Sequence, residues 1–187
     1  LADKGVRQYA EAARRIKQQR PEVVFQLAGD IDSNPDTILQ QELDTWVGEG
    51  SLEHLGWLND VRLALAESSV FVLPSYYREG TPRSILEAMS MGRAVITTDA
   101  PGCRETVTNG DNGYLIPVKN VDALVKAMQH FIDRPALVKT MGQRSHEIAK
   151  DKYDVHKVNA VMLEAMGIGK PELRNRVQKP FDTITAK

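Results

Sequence analysis

The sequence predicts an α/β fold built on a parallel sheet with helices on both faces. Three observations predict it. Short apolar runs alternate with amphipathic stretches along most of the chain, the pattern of strands joined through crossover helices. Several runs are nearly continuous in their apolar content, as strands covered on both faces are. The segments at the ends of four runs, "AGD", "LGWLND", "LPSYYREG" and "TTDAPG", are rich in glycine, proline and small polar residues. In such folds ligands sit beyond the carboxyl ends of the strands.

Each element can be justified in turn. From Val6 to Gln19 the apolar positions Val6, Tyr9, Ala10, Ala13 and Ile16 keep three-and-four spacing, an amphipathic helix. "EVVFQLAGD" reads as a strand buried on both faces and ending in glycine. In "SNPDTILQQELDTWVGEG", Ser33 or Asn34 offers an N-cap, Pro35 the first helical position, and glycines lie beyond the end. "LEHLGW" is a second strand, "NDVRLALAES" a helix capped by Asn59, and "SVFVLPS" a third strand. In "SYYREGTPRSILEAMSMG", Thr81 is the expected N-cap, Pro82 the first helical residue and Gly92 the stop. "GRAVITTD" is a fourth strand and "YLIPV" a short fifth, separated by the loop "APGCRETVTNGDNG". Asn120 caps a helix through "NVDALVKAMQHFIDR", and Pro135 opens another that runs to about Lys150. From Lys170 to Lys187 the chain lacks periodicity and reads as a peripheral extension or a disordered end.

Composition narrows the function classes. At 187 residues the chain fits one domain with a substantial core. Apolar content of 42%, a charged share of 26% and a formal net charge of -1 argue against disorder and against a basic surface for nucleic acid. The single Cys103 excludes a disulfide framework and a cysteine-based zinc site, which fits a reducing compartment. No apolar run approaches the roughly 20 residues that span a bilayer, and no signal peptide opens the chain. The expected setting is the cytoplasm, with a peripheral role at the membrane left open. The opening "LADKGVRQYAEAARRI" has no initiator methionine and runs almost at once into a helix pattern, as a chain cut from a longer one would.

The candidate site lies in "YYREGTPRSILEAM". Glu79 precedes a helix N-terminus, where unpaired N–H groups and the positive end of the dipole favour anions, phosphate included. Glu87 lies inside the helix, four residues after Arg83. One reading is a surface ion pair of about 0.3–0.5 kcal/mol between Arg83 and Glu87, with Glu79 complementing the dipole. The order opposes it, because the arginine occupies the positive end of the helix. The other reading projects Glu87 into the crevice at the strand ends.

The ordered fragments "DKGV", "FQLAGD", "HLGWLND", "VFVLPS", the paired acids, "GRAVITTD" and "NGDNGYLIPV" resemble the retaining nucleotide-sugar glycosyltransferases of family four over about Asp3 to Ile168. Those enzymes pair two facing Rossmann-like domains, the arrangement called GT-B. The resemblance implies that residues 1–168 are the carboxy-terminal, donor-binding Rossmann-like half, followed by a tail at 169–187. An acceptor-binding half would precede Leu1.

It also implies roles for single residues. Glu79 matches the catalytic acid beside the reacting sugar carbon, and Glu87 the acid that binds the ribose hydroxyls. Backbone amides of Gly80, Thr81 and Arg83 would meet the sugar and diphosphate, while Pro82 has no N–H to give. Lys4 matches the lysine that neutralises the diphosphate, whose arginine companion would fall before Leu1. Leu58, in the loop Gly56 to Asp60, would read the base through its backbone. Gly102 would allow close approach to the donor sugar, with Glu105 either near it or merely in a first helical turn. Glu79 would stabilise or position the sugar cation or act as nucleophile. The partners implied are a nucleotide-diphosphate sugar, UDP-linked and often an N-acetylhexosamine, and a saccharide or polyprenyl-diphosphate-linked acceptor met through the other half. The pathways implied are bacterial capsule, O-antigen and lipopolysaccharide synthesis, with neither cofactor nor metal required.

Other residues read as structural. Cys103 is a small packed side chain, and His54, His130, His146 and His156 lack metal-ligand spacing. Trp57 is either a stacking platform or a buried or interface aromatic. A noncatalytic nucleotide-binding α/β module remains the alternative. A dinucleotide oxidoreductase is disfavoured, because no GxGxxG follows a strand.

Overall fold

A computed structural model describes residues 2–168 except 32, 33, 35, 36 and 79. The chain divides into two units, Leu1–Ile148 and Ala149–Lys187.

In the first unit the order is α1 (Val6–Lys17), β1 (Gln26–Ala28), α2 (Gln40–Gly48), β2 (Glu53–Gly56), α3 (Val61–Glu67) and β3 (Val70–Leu73). It continues through α4 (Arg83–Ser90), β4 (Ala94–Thr98), β5 (Gly113–Ile116), α5 (Val121–Asp133) and most of α6 (Ala136–Lys152), whose last four residues belong to the second unit. The strand pairs are parallel, as the alternation predicts. They form a two-stranded sheet, β1-β2, and a three-stranded sheet, β3-β4-β5.

The central strand is β4, buried at every position. Its side chains alternate between faces. Ala94 and Ile96 join a core with Ala10, Ala13 and Ile16 of α1 and Leu124, Met128 and Phe131 of α5. The opposite face carries Val95 and Thr97, and α4 packs on β3 and β4 with Ile85, Ala88 and Met89 buried. By contrast, β1 is only partly buried, against the expectation from its apolar sequence. One edge of β1 pairs with β2 and the other borders a cleft beside β3.

Three helix starts differ from the sequence reading. Helix α2 begins at Gln40, with Leu39 at the N-cap and the Glu42 carboxylate accepting the Leu39 N–H at 2.8 Å. Asn34 therefore does not cap it, and Ser33 and Pro35 lie outside the described residues. Helix α3 is capped by Asp60, not Asn59: its carboxylate accepts the Arg62 N–H at 3.0 Å and is gripped by the Arg62 guanidinium. A carboxylate is the stronger acceptor of the two neighbours. In α4 Pro82 is the N-cap, with extended ψ of 124°, because its carbonyl already accepts the Ile85 and Leu86 N–H groups. Thr81 thus stands one residue before the cap.

The remaining signals agree. Gly92 (φ 68°) ends α4, its N–H bonding Met89 O while the Arg93 N–H bonds Ala88 O. Asn120 accepts the Ala123 N–H at 2.9 Å at the start of α5. The second unit contains α7 (Val155–Ala165), whose N-cap Asp154 accepts the His156 and Lys157 N–H groups. The expected tail at 169–187 lies outside the described residues.

Candidate functional site

A cleft of about 1140 Å³ opens between the β1-β2 and β3-β4-β5 sheets. Most of its wall is apolar, with Phe25, Leu27, Val70, Val72, Ile96 and Phe131. At the carboxyl ends of the strands the lining changes to Lys4, Gly29, Asp30, His54, Leu58, Ser84 and Glu87. Arg20, Glu22, Glu67 and Ser69 line it toward the amino ends of the strands, so polar groups stand at both ends of an apolar middle. His54 stands on β2 with its Nε2 2.7 Å from the Gly29 carbonyl oxygen, which ties the two strand ends together.

Lys4 is placed by an unusually close backbone approach. The segment Ala2–Lys4 is a 3-10 turn, followed by Gly5 at φ 80°. A Cβ at Gly5 would stand 2.2 Å from the Pro74 carbonyl oxygen, so only glycine lets this turn lie against the end of β3. The Asp3 carbonyl then accepts the Tyr76 N–H at 2.9 Å and the Ser75 hydroxyl at 3.4 Å. On the far side, Thr98 of β4 donates its hydroxyl to the Ser75 carbonyl, and Thr97 donates to the Leu73 carbonyl at 2.8 Å. Lys4 Nζ lies 5.4 Å from the centroid of the Tyr77 ring.

The start of α4 supplies the second part of the site. Gly80, Thr81 and Arg83 are exposed, and the amides of Arg83 and Ser84 precede the first intrahelical bond, which Ile85 makes to Pro82. Unsatisfied amides at a helix start favour an anion. Glu79 lies outside the described residues. One turn into α4, Glu87 borders the cleft, with Ser84 on the same helical face. Among the described residues no ion pair joins Arg83 to Glu87, so the surface-pair reading of these two residues finds no support.

The structure therefore brings Lys4, Leu58 and Glu87 onto one cleft. Gly80, Thr81, Arg83 and Gly102 are not part of its lining. Gly102, at φ 87°, follows β4, and its N–H donates to the Glu105 carboxylate at 2.7 Å. That bond fits the reading of Glu105 as a turn residue. Sequence reasoning did not single out Asp30 or Ser84, and it read His54 as structural. Ser84 could have been found from its three-residue spacing to Glu87, and Asp30 from its place in "AGD".

The remaining candidates behave as packing or surface groups. Cys103 is fully buried. Trp57 is 72% exposed and is neither buried nor part of the cleft wall. His130 stacks on Tyr114 at 5.1 Å, and His146 Nδ1 lies 2.8 Å from the Ser90 carbonyl oxygen. Among the described residues no cluster of three His, Cys, Asp or Glu side chains could hold a metal ion. Among the same residues no helix is long and apolar enough to cross a membrane.

Fold and cleft together define an α/β domain with a cleft at the carboxyl ends of parallel strands, and comparison with known proteins gives its family. The family described as glycosyl transferases group 1 matches residues 1–134, and the chain belongs to that family. It is 35% identical over 124 residues to the N,N'-diacetylbacillosaminyl-diphospho-undecaprenol alpha-1,3-N-acetylgalactosaminyltransferase of Campylobacter jejuni, covering 66% of this chain and 31% of that relative. It is also 35% identical over 131 residues to the UDP-Gal:alpha-D-GlcNAc-diphosphoundecaprenol alpha-1,3-galactosyltransferase of Escherichia coli, covering 69% and 33%. Among solved structures, Anabaena HepE in complex with UDP superposes with a TM-score of 0.79 at 25% identity, covering 89% of this chain and 46% of that one. The chain thus spans about a third of the length of the curated relatives it matches.

Proposed function

We propose that this chain is the donor-binding domain of a retaining glycosyltransferase. The enzyme would move a sugar from a UDP-linked donor, of N-acetylhexosamine type, to a lipid-linked or saccharide acceptor in bacterial surface-polysaccharide synthesis. The observation that carries the reading is the shared cleft of Lys4, Leu58 and Glu87 at the carboxyl ends of parallel strands. Three properties of a nucleoside diphosphate find complements there: a base beside Leu58, ribose hydroxyls within reach of the Glu87 carboxylate, and phosphates between Lys4 and the start of α4. The names of the relatives support the same chemistry, since both act on diphospho-undecaprenol-linked sugars and one takes UDP-Gal.

Glycosyl transfer from such a donor develops positive charge on the sugar ring and negative charge on the departing phosphate. The amides of Gly80, Thr81 and Arg83 and the Lys4 ammonium stabilise the leaving diphosphate, an electrostatic role that lowers the barrier only insofar as it strengthens as the bond breaks. Glu79 is assigned to the reacting carbon and Gly102 to the sugar. In this arrangement no metal is required, so UDP should bind equally well with and without EDTA. Titration calorimetry of the chain with UDP and with GDP tests the reading directly. Heat of binding from UDP and little from GDP is expected, and no heat from either nucleotide sinks the donor-site assignment.

A further inference from the structure

The proposed mechanism leaves several charged residues at the strand ends unused, Asp30, Asp99 and Lys119 among them. Lys119 follows β5 and immediately precedes Asn120, the N-cap of α5. It is the only non-glycine residue with a positive φ, 58°, among those described. Glycine adopts that conformation without cost, whereas a lysine is strained in it, so the side chain must give something in return. Its Nζ lies 4.4 Å from the centroid of the Tyr76 ring, well within the range of a cation–π contact. Among the described residues Lys119 forms no ion pair.

The contact joins two places that the sheet keeps apart. Tyr76 follows β3 and Lys119 follows β5, on either side of β4, so the lysine reaches across the carboxyl end of the central strand. Tyr76 is half-buried, and its N–H is already held by the Asp3 carbonyl. The next residue, Tyr77, donates its N–H to the Ser75 hydroxyl at 3.3 Å and has Lys4 near its ring. Two consecutive tyrosines therefore each carry a lysine from a different part of the chain. Lys4 has a ligand-facing role in the proposed function; Lys119 has none.

We propose that Lys119 is a positioning residue: its ammonium over Tyr76 fixes the turn at residues 75–77 that follows β3, and so sets the rate of sugar transfer rather than the affinity for nucleotide. The inference rests on the donor-site reading for its catalytic half and on the Lys119–Tyr76 geometry for its structural half. Substitution separates strain from contact. Lys119→Gly removes the cation and relieves the backbone, so the melting temperature should not fall while the turn loosens. Lys119→Arg and Tyr76→Phe each retain a cation over a ring and should preserve the turn. Tyr76→Leu should reproduce Lys119→Gly, and the double variant should be no worse than either single one.

Hydrogen exchange on this chain reads the turn without reference to activity. In Lys119→Gly the Tyr76 and Tyr77 amides should exchange about fivefold faster, with those of β4 unchanged. In the intact transferase the same variant should lower kcat about fivefold while the donor KM stays within about twofold of wild type. Unchanged exchange overturns the contact whatever the activity. Faster exchange with unchanged kcat, or with a loss confined to donor KM, overturns the positioning role. An intact wild-type transferase that transfers no sugar overturns the donor reading and the catalytic half of this proposal together.

Discussion

At the scale of single residues, Glu87 and Glu79 should divide the work. Glu87 borders the cleft, and its assigned partners are two hydroxyls of a bound ribose. Hydrogen bonds to a charged acceptor contribute about 1.5–3 kcal/mol, so Glu87→Ala should weaken UDP binding by roughly tenfold or more, measured by calorimetry. Glu79→Ala in the intact enzyme should instead chiefly lower turnover, and equal UDP affinity for wild type and Glu87→Ala removes the division. A different carboxylate, Glu42, reports on the fold. The Arg7 guanidinium, 2.6 and 2.8 Å away, together with the Leu39 N–H, holds the Glu42 carboxyl at about 2, below its ordinary 4.5. A depressed carboxyl pKa contributes stability that is present above pH 4.5 and is lost as pH falls toward 2. Because Arg7 is about half exposed, that contribution should stay near or below about 1 kcal/mol. Glu42→Gln should accordingly flatten the acid limb of melting temperature against pH, and an unchanged acid limb contradicts the pairing.

At the scale of elements, the turn before α1 matters most for the site. Gly5→Ala would need a φ of 80° and would bring a Cβ against the Pro74 carbonyl. Backbone strain and a main-chain clash together should cost about 2 kcal/mol or more. Because the displaced turn carries Lys4, UDP affinity should fall along with the urea midpoint. A variant with reduced stability and intact UDP affinity would separate Lys4 from the site. Sequence reasoning reached the elements more easily than their docking. Periodicity and caps placed α1, α5 and the opening of α6, because those signals are local: a stripe of apolar residues, Asn120 on the Ala123 N–H, and Pro135 before Ala136. Neighbouring candidates defeated it where two residues compete for one role, as with Asn59 and Asp60 or Thr81 and Pro82. The contacts that seat Lys4 and Lys119 were illegible for another reason. They pair residues far apart in sequence, Gly5 with Pro74 and Lys119 with Tyr76, and no local pattern encodes such a meeting. The division of the strands into two sheets belongs to the same class.

At the scale of the whole molecule, the chain should separate binding from chemistry. It spans about a third of the length of its curated relatives and 46% of HepE. In the proposed reading the leaving diphosphate meets Lys4 and the start of α4, both within this chain, so nucleotide binding should not need a second domain. Transfer should, because the barrier falls only when an acceptor hydroxyl is held in line with the reacting carbon and water is excluded from it. Association that orders one face of a nucleotide sugar while leaving its other face in solvent should also be weaker than in a closed site. Residues 1–187 alone should therefore give a calorimetric signal with UDP and no labelled sugar on a diphospho-undecaprenol acceptor supplied with UDP-N-acetylhexosamine or UDP-galactose. Supplying the rest of the transferase in the same assay should restore transfer. Measurable transfer by this chain alone would mean that it holds both the donor and the acceptor, and the assignment as a donor-binding half would have to be abandoned.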